Sequence, residues 1–144
     1  MDWILRLNVD DQNAAIMWLY RPAGAGKPAI MHAIARRCDL QKLLLASFFS
    51  RSDPARSTTK SLIATIAYQI VINIPRMGEM IFNTIGRDPL ILTRSLEAQV
   101  TALVVEPLCE LLYAGYFNTP ISRRLIMIDG LDGCDTVAAQ CSIL

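Results

Sequence analysis

The apolar positions of this chain fall into short, nearly unbroken runs separated by longer stretches of helical period. Residues 16–20, 43–49 and 125–128 form the short runs, each followed by polar or turn-forming residues. Runs of that length predict strands buried on both faces of a parallel sheet. Between the first two, Ala29, Ile30, Ala33 and Ile34 recur at helical spacing as far as Cys38, with Asp39 following. Residues 57–74 place Leu62, Ile63, Ile66, Ala67, Ile70 and Ile74 on one helical face, and Pro75 stops that helix. Met77, Met80, Ile81 and Ile85 predict a shorter helix with Gly86 as its C-terminal cap. Leu96, Val100, Leu103 and Val104 predict another that ends before Pro107, with a further helical piece over residues 108–113. Strands that alternate with helices predict an α/β fold, a parallel sheet flanked by helices.

One domain over residues 1–144 accommodates this order. Residues 1–15 read as a lead-in helix, 16–38 as strand, glycine loop and helix, 43–113 as a second strand and a helical region, and 123–135 as a third strand with an acidic end. With 53% apolar and 19% charged residues, the chain can bury its own core. The net charge is +1 and no basic block occurs, which argues against a nucleic-acid partner. The longest uncharged run, residues 61–75, is interrupted by Gln69 and Asn73. It falls short of the roughly 20 apolar residues that a bilayer span requires, so no membrane association is expected. Asp2 and Arg6 occupy the only stretch suited to an export signal, and no apolar core follows them. A cytoplasmic protein is expected. Cys38, Cys109, Cys134 and Cys141 form no CxxC pair, and the single histidine, His32, precedes the first by six residues. That spacing fits buried, reduced thiols and no metal site.

The chemistry-bearing segment is Arg21-Pro-Ala-Gly-Ala-Gly-Lys-Pro28, set between the first predicted strand and helix. This is where the phosphate-binding pattern GxxxxGK(S/T) belongs. Glycines there let backbone N–H groups turn inward around a phosphate, and the positive end of the helix adds a favourable field. Gly24, Ala25 and Gly26 keep that capacity, and Lys27 is placed to reach the β- and γ-phosphates of ATP or GTP. The plainer reading makes Gly24 and Gly26 a tight turn and Lys27 a solvated first-turn lysine. Two positions depart from the pattern. Arg21 replaces the first glycine, though its charge can still attract phosphate. Pro28 replaces the hydroxyl that ligates Mg²⁺ and removes a backbone donor, yet suits the first turn of a helix. Each charge-assisted contact is worth about 1.5 to 3 kcal/mol, so affinity is expected to fall by roughly ten- to a thousandfold.

At the far end, Leu125-Ile-Met-Ile-Asp129-Gly-Leu-Asp132 delivers a carboxylate at the C-terminal end of a buried strand. In parallel sheets that end is where ligands bind. Asp129 is the candidate metal-side acid for Mg²⁺, and Asp132 the candidate catalytic assistant at the metal or a water. Both also fit a turn-stabilising role, which many aspartates at strand ends perform.

Taken together, these segments resemble fungal NACHT proteins, the signalling P-loop NTPases of the STAND class, and their nephrocystin-like N-terminal domain. The resemblance rests on WLY and PAGAGK within residues 18–27, ASFFSRSDPARS at 46–57, SLIATIAYQ at 61–69, RDPLI at 87–91 and LIMIDGLDGCD at 125–135. It implies a nucleotide-dependent switch controlling assembly of a larger protein. Such proteins usually read GPAGAGKS and DGLDEC, so Arg21, Pro28 and Gly133 stand at altered positions. Glycine at 133 can neither abstract a proton nor hold a cation through a side chain, which predicts weak or no hydrolysis. The sequence also stops about one helix past the acidic strand. The resemblance then implies missing C-terminal strands and an exposed apolar sheet edge, open to a protein partner or to a second copy. Two rival readings remain: a nucleotide-independent interaction module or non-functional truncated relative, and, less well supported, a metabolic kinase.

Overall fold

The computed structural model describes residues 19, 25–49, 59–118 and 125–130. The expected lead-in helix over 1–15 and the strand expected over 16–20 lie outside these, apart from Leu19, as do Arg21, Gly24, Asp132 and Gly133. Within the described residues the chain is a mixed helix and strand structure around a small parallel sheet.

Helix α1 (Lys27–Leu40) begins after Gly26, which is left-handed at φ 74° and ψ 19°. It ends in a Schellman turn. The Leu43 N–H donates to the Cys38 carbonyl at 2.8 Å and the Lys42 N–H to Asp39 at 2.9 Å, with Lys42 itself left-handed at φ 59°. Only Gln41, Lys42 and Leu43 separate α1 from strand β1 (Leu44–Phe49), so the chain reverses and β1 runs back along the helix.

Strand β2 (Leu125–Asp129) pairs with β1 in parallel, with Phe49 opposite Asp129. Leu44 faces Leu125 and Ala46 faces Ile126, which leaves Leu45 as an extra residue in β1. Such a bulge interrupts the ladder and leaves the extra residue without a strand partner. Helix α2 (Thr59–Asn73) supplies the missing partners. Asn73 Nδ2 donates to the Leu45 carbonyl at 2.7 Å, and the Gln69 amide both accepts from the Ser47 N–H at 3.0 Å and donates to the Ser47 carbonyl at 2.8 Å. All six residues predicted for the inner face of α2, Leu62, Ile63, Ile66, Ala67, Ile70 and Ile74, are buried, and they form one core with Leu45 and Ala46. Burying each such aliphatic side chain is worth roughly 1.5 to 3 kcal/mol, so α2 anchors β1 alongside the β2 ladder.

Helix α3 (Arg76–Arg87) adds Met77 and Ile81 to that core. It differs from expectation at its end: Gly86 lies inside the helix and Asp88 is the cap residue. Glycine suits a left-handed cap, but nothing in α3 demands one, because the Asp88 N–H still donates to the Thr84 carbonyl at 3.0 Å. The following connection, with a 3₁₀ turn over Ile91–Thr93, is pinned twice. Arg94 pairs with Asp88 at 2.6 Å, and the buried Gln99 donates to the carbonyls of Leu92 and Arg94 at 3.3 and 2.9 Å.

The predicted stop before Pro107 does not occur. Helix α4 (Leu96–Val100), capped by Ser95 Oγ accepting from the Ala98 N–H, passes through a π turn (Thr101–Val105) into α5 (Glu106–Tyr113). In an α-helix Pro107 would lack its bond to Leu103 and its ring would strike that carbonyl. The wider π turn immediately before it relaxes this conflict, so the helix continues. A 3₁₀ turn (Tyr116–Asn118) follows.

Candidate functional site

The glycine loop enters α1 through Ala25 and Gly26, both exposed, followed by the partly exposed Lys27 and then Pro28 in the first turn. A Cβ built on Gly26 would meet no atom within 4 Å. The requirement for glycine here is therefore conformational, set by its positive φ. The amide of Ile30 bonds to the Gly26 carbonyl at 3.1 Å, so the helical ladder begins on Gly26 itself. Proline in this turn forfeits only an amide that no helix partner would have taken.

His32 shows where this turn sits relative to the sheet. Its ring stacks on Phe49 with centroids 3.9 Å apart and planes 13° from parallel. Phe49 ends β1 and lies opposite Asp129, the last residue of β2. Because α1 runs antiparallel to β1, its amino-terminal half flanks the carboxyl ends of both strands. Gly26, Lys27 and Asp129 are thus displayed at one end of the sheet, and Gly130, at φ 82°, turns the chain away after Asp129. Asp129 is half-buried. Among the described residues no group of three or more His, Cys, Asp or Glu could hold a metal ion, so Asp129 is a single carboxylate rather than a ready cage. His32, expected to pack, does so through its ring face while remaining exposed overall.

The thiols divide. Cys38 is buried, and desolvation pushes its pKa up against a smaller lowering effect from Arg37. Cys109 is exposed on α5, contrary to the expectation of burial. Glu106, Cys109, Glu110 and Tyr113 share the outer face of that helix, and all four are exposed. Cys134 and Cys141 lie outside the described residues.

Sequence reasoning missed the amide clip of Gln69 and Asn73 on β1. Its signal was present: Gln69 and Asn73 are two amides four residues apart, and so on one face, in the carboxyl half of a largely apolar helix.

Residues 2–144 match the family described as nephrocystin 3, N-terminal. The chain belongs to that family. No curated protein and no solved structure matches it. The match runs through residues 21–28 and 125–135 alike. Glycine loop and acidic strand end thus both lie within the stretch that matches nephrocystin 3, N-terminal. No helix among its described residues is long and apolar enough to cross a membrane.

Proposed function

We propose that this chain is a degenerate NACHT-type P-loop domain that binds ATP or GTP as part of a STAND-class signalling switch, with hydrolysis weak or absent. The observation that carries the reading is the common placement of Gly26, Lys27 and Asp129 at the carboxyl end of two parallel strands. The antiparallel run of α1 and the His32–Phe49 stack support that placement. A phosphate there lies at the positive end of a helix and within reach of a lysine ammonium, both of which favour an anion. Among the described residues, nothing beyond its chain neighbours crowds a Cβ built on Gly26, which is compatible with a ligand lying against the backbone. The amide clip adds a topological argument. Because Gln69 and Asn73 close the outer edge of β1, any further strand of this sheet joins beside β2, on the side of Asp129.

For Mg²⁺ the residues fit only partly. Asp129 offers a carboxylate, whereas Pro28 has no hydroxyl to offer and Gly133 no acid. In this reading Lys27 and the amides of residues 24–27 hold phosphate, Arg21 adds charge, Asp129 orients the ion's water shell, and Asp132 assists at the metal or a water. The edge beside β2 is where a protein partner or a second copy would add.

Isothermal titration with MgATP and MgGTP tests this directly. Saturable heat that falls at least about tenfold in affinity on Lys27→Ala is expected, and no heat with either nucleotide overturns the reading. Pro28 favours the second reading, a nucleotide-independent interaction module or inactive relative. Binding that appears only in the Arg21→Gly, Pro28→Ser double variant would establish it.

A further inference from the structure

The RDPLI segment at 87–91 has no part in the nucleotide reading. It leads into the connection between α3 and α4, and of residues 89–94 in that connection only Ile91 is buried, at 4% exposure. Ile91 joins the core that α2 and α3 form, while Leu90 and Leu92 on either side of it are 65% and 44% exposed. The main-chain bonds here are local. The N–H groups of Ile91, Thr93 and Arg94 donate to the carbonyls of Asp88, Leu90 and Ile91, each three residues back, at 3.1, 2.8 and 3.1 Å. Such bonds move with the segment and do not fasten it to the rest of the chain.

Among the described residues two polar pins do fasten it. The Asp88–Arg94 pair leaves the Arg94 side chain 57% exposed, and an ion pair in that setting holds weakly. Gln99, 4% exposed, is the other, with Nε2 donating to the Leu92 and Arg94 carbonyls at 3.3 and 2.9 Å. Its Oε1 is buried and has no hydrogen-bond partner. The two donated bonds fix which end of the amide faces the connection, because a reversed amide would set oxygen against those carbonyls. A buried acceptor in that state has lost its hydration without gaining a bond, and the loss lasts only while the two carbonyls cover the amide.

We propose that residues 89–94 form a strap that opens from the folded domain as a unit, hinged at Asp88 and Ser95, with the Gln99 amide as its latch. Opening unseats one aliphatic side chain and releases two bonds, while rotation of the freed amide brings Oε1 to water and returns free energy of the same order. The open form therefore lies far closer to the native state than global unfolding does. It presents the run Leu90-Ile91-Leu92 and the Gln99 amide to solvent together, and no step of it involves the glycine loop.

Native-state hydrogen exchange on the full chain reads the opening. The amides of Ile91, Thr93 and Arg94 and the side-chain amide protons of Gln99 should share one protection that low urea leaves unchanged, at least about a hundredfold below that of Ile66 and Ile70 in α2. Ile91→Asp then separates a strap from a core element. The charge at 91 should hold the strap open, so that its amides lose protection while α2 stays protected. Because the open form is indifferent to the substitution, stability to urea should fall by no more than the opening equilibrium of the parent chain allows. A variant that fails to fold, α2 amides that lose protection with the strap, strap amides that exchange in the parent only through global unfolding, or Gln99 side-chain protons that exchange out of step with the strap would each overturn the proposal.

Discussion

Gln69 gives Ser47 the two main-chain hydrogen bonds that a neighbouring strand would give: the Ser47 N–H donates to Gln69 Oε1 at 3.0 Å, and Gln69 Nε2 donates to the Ser47 carbonyl at 2.8 Å. A helix side chain thus closes a sheet edge that would otherwise invite another strand. Gln69→Ala should cost about 2 to 3 kcal/mol, since two bonds are lost and partly buried backbone groups are left without partners. Urea unfolding measures the loss, and light scattering should show increased self-association. Gln69→Glu separates the roles. Its carboxylate still accepts from the Ser47 N–H but repels the Ser47 carbonyl, so it should rescue little of the stability. Full stability in the glutamate variant would show that packing, not the paired bonds, holds α2 to β1.

Lys42 occupies the left-handed position of the Schellman turn, at φ 59°. A β-carbon in that conformation is strained, and glycine is not. Lys42→Gly should therefore stabilise the chain by about 1 kcal/mol, visible as a rise in melting temperature of roughly 2 to 4 °C. No change or a loss would mean that the lysine stem contributes packing that offsets the strain.

That turn also shows where the sequence is hard to read. Helix α1 runs on to Leu40 because its end is made by backbone geometry at a lysine, with no glycine to mark it. Buried apolar patterns were legible: the inner face of α2 and the runs that became β1 and β2 follow directly from hydrophobic spacing. Local punctuation was not. Pro107 reads as a stop, yet a π turn absorbs it, and Gly86 reads as a cap, yet α3 passes through it. At the candidate site, the left-handed torsion of Gly26 came from the structure, but Gly26 as a turn glycine leading into a helix and Asp129 at a strand end were both legible. The pairing of Gln69 with Ser47 was not, because a bond across 22 residues depends on which edge the helix meets.

Gly86 offers a direct check on this point. A Cβ there meets nothing within 4 Å and its φ is ordinary, so Gly86→Ala should stabilise α3 by about 0.5 to 1 kcal/mol through helix propensity and a less flexible unfolded chain. At Gly78 the same Cβ would sit 3.4 Å from Val71 Cγ1, and the gain should be smaller. Destabilisation by Gly86→Ala, read from the urea midpoint, would indicate a left-handed cap after all.

The buried thiol of Cys38 makes alkaline stability a probe of the α1–sheet packing. Burial raises its pKa above the ordinary 9.0, so the folded chain holds the proton more tightly than the unfolded chain. Below that ordinary value both states are protonated and the thiol leaves stability independent of pH. As pH rises through the window between the unfolded and folded values, the unfolded chain releases its proton first and stability declines. Cys38→Ala removes this dependence at the cost of a small cavity. Urea midpoints at about pH 8 and about pH 10 should therefore fall more steeply in the parent chain than in the variant, while an aromatic disulfide reagent labels Cys109 rapidly and Cys38 only on unfolding. Equal slopes, or rapid labelling of Cys38 in the folded chain, would mean that α1 lifts from the sheet often enough to wet its inner face.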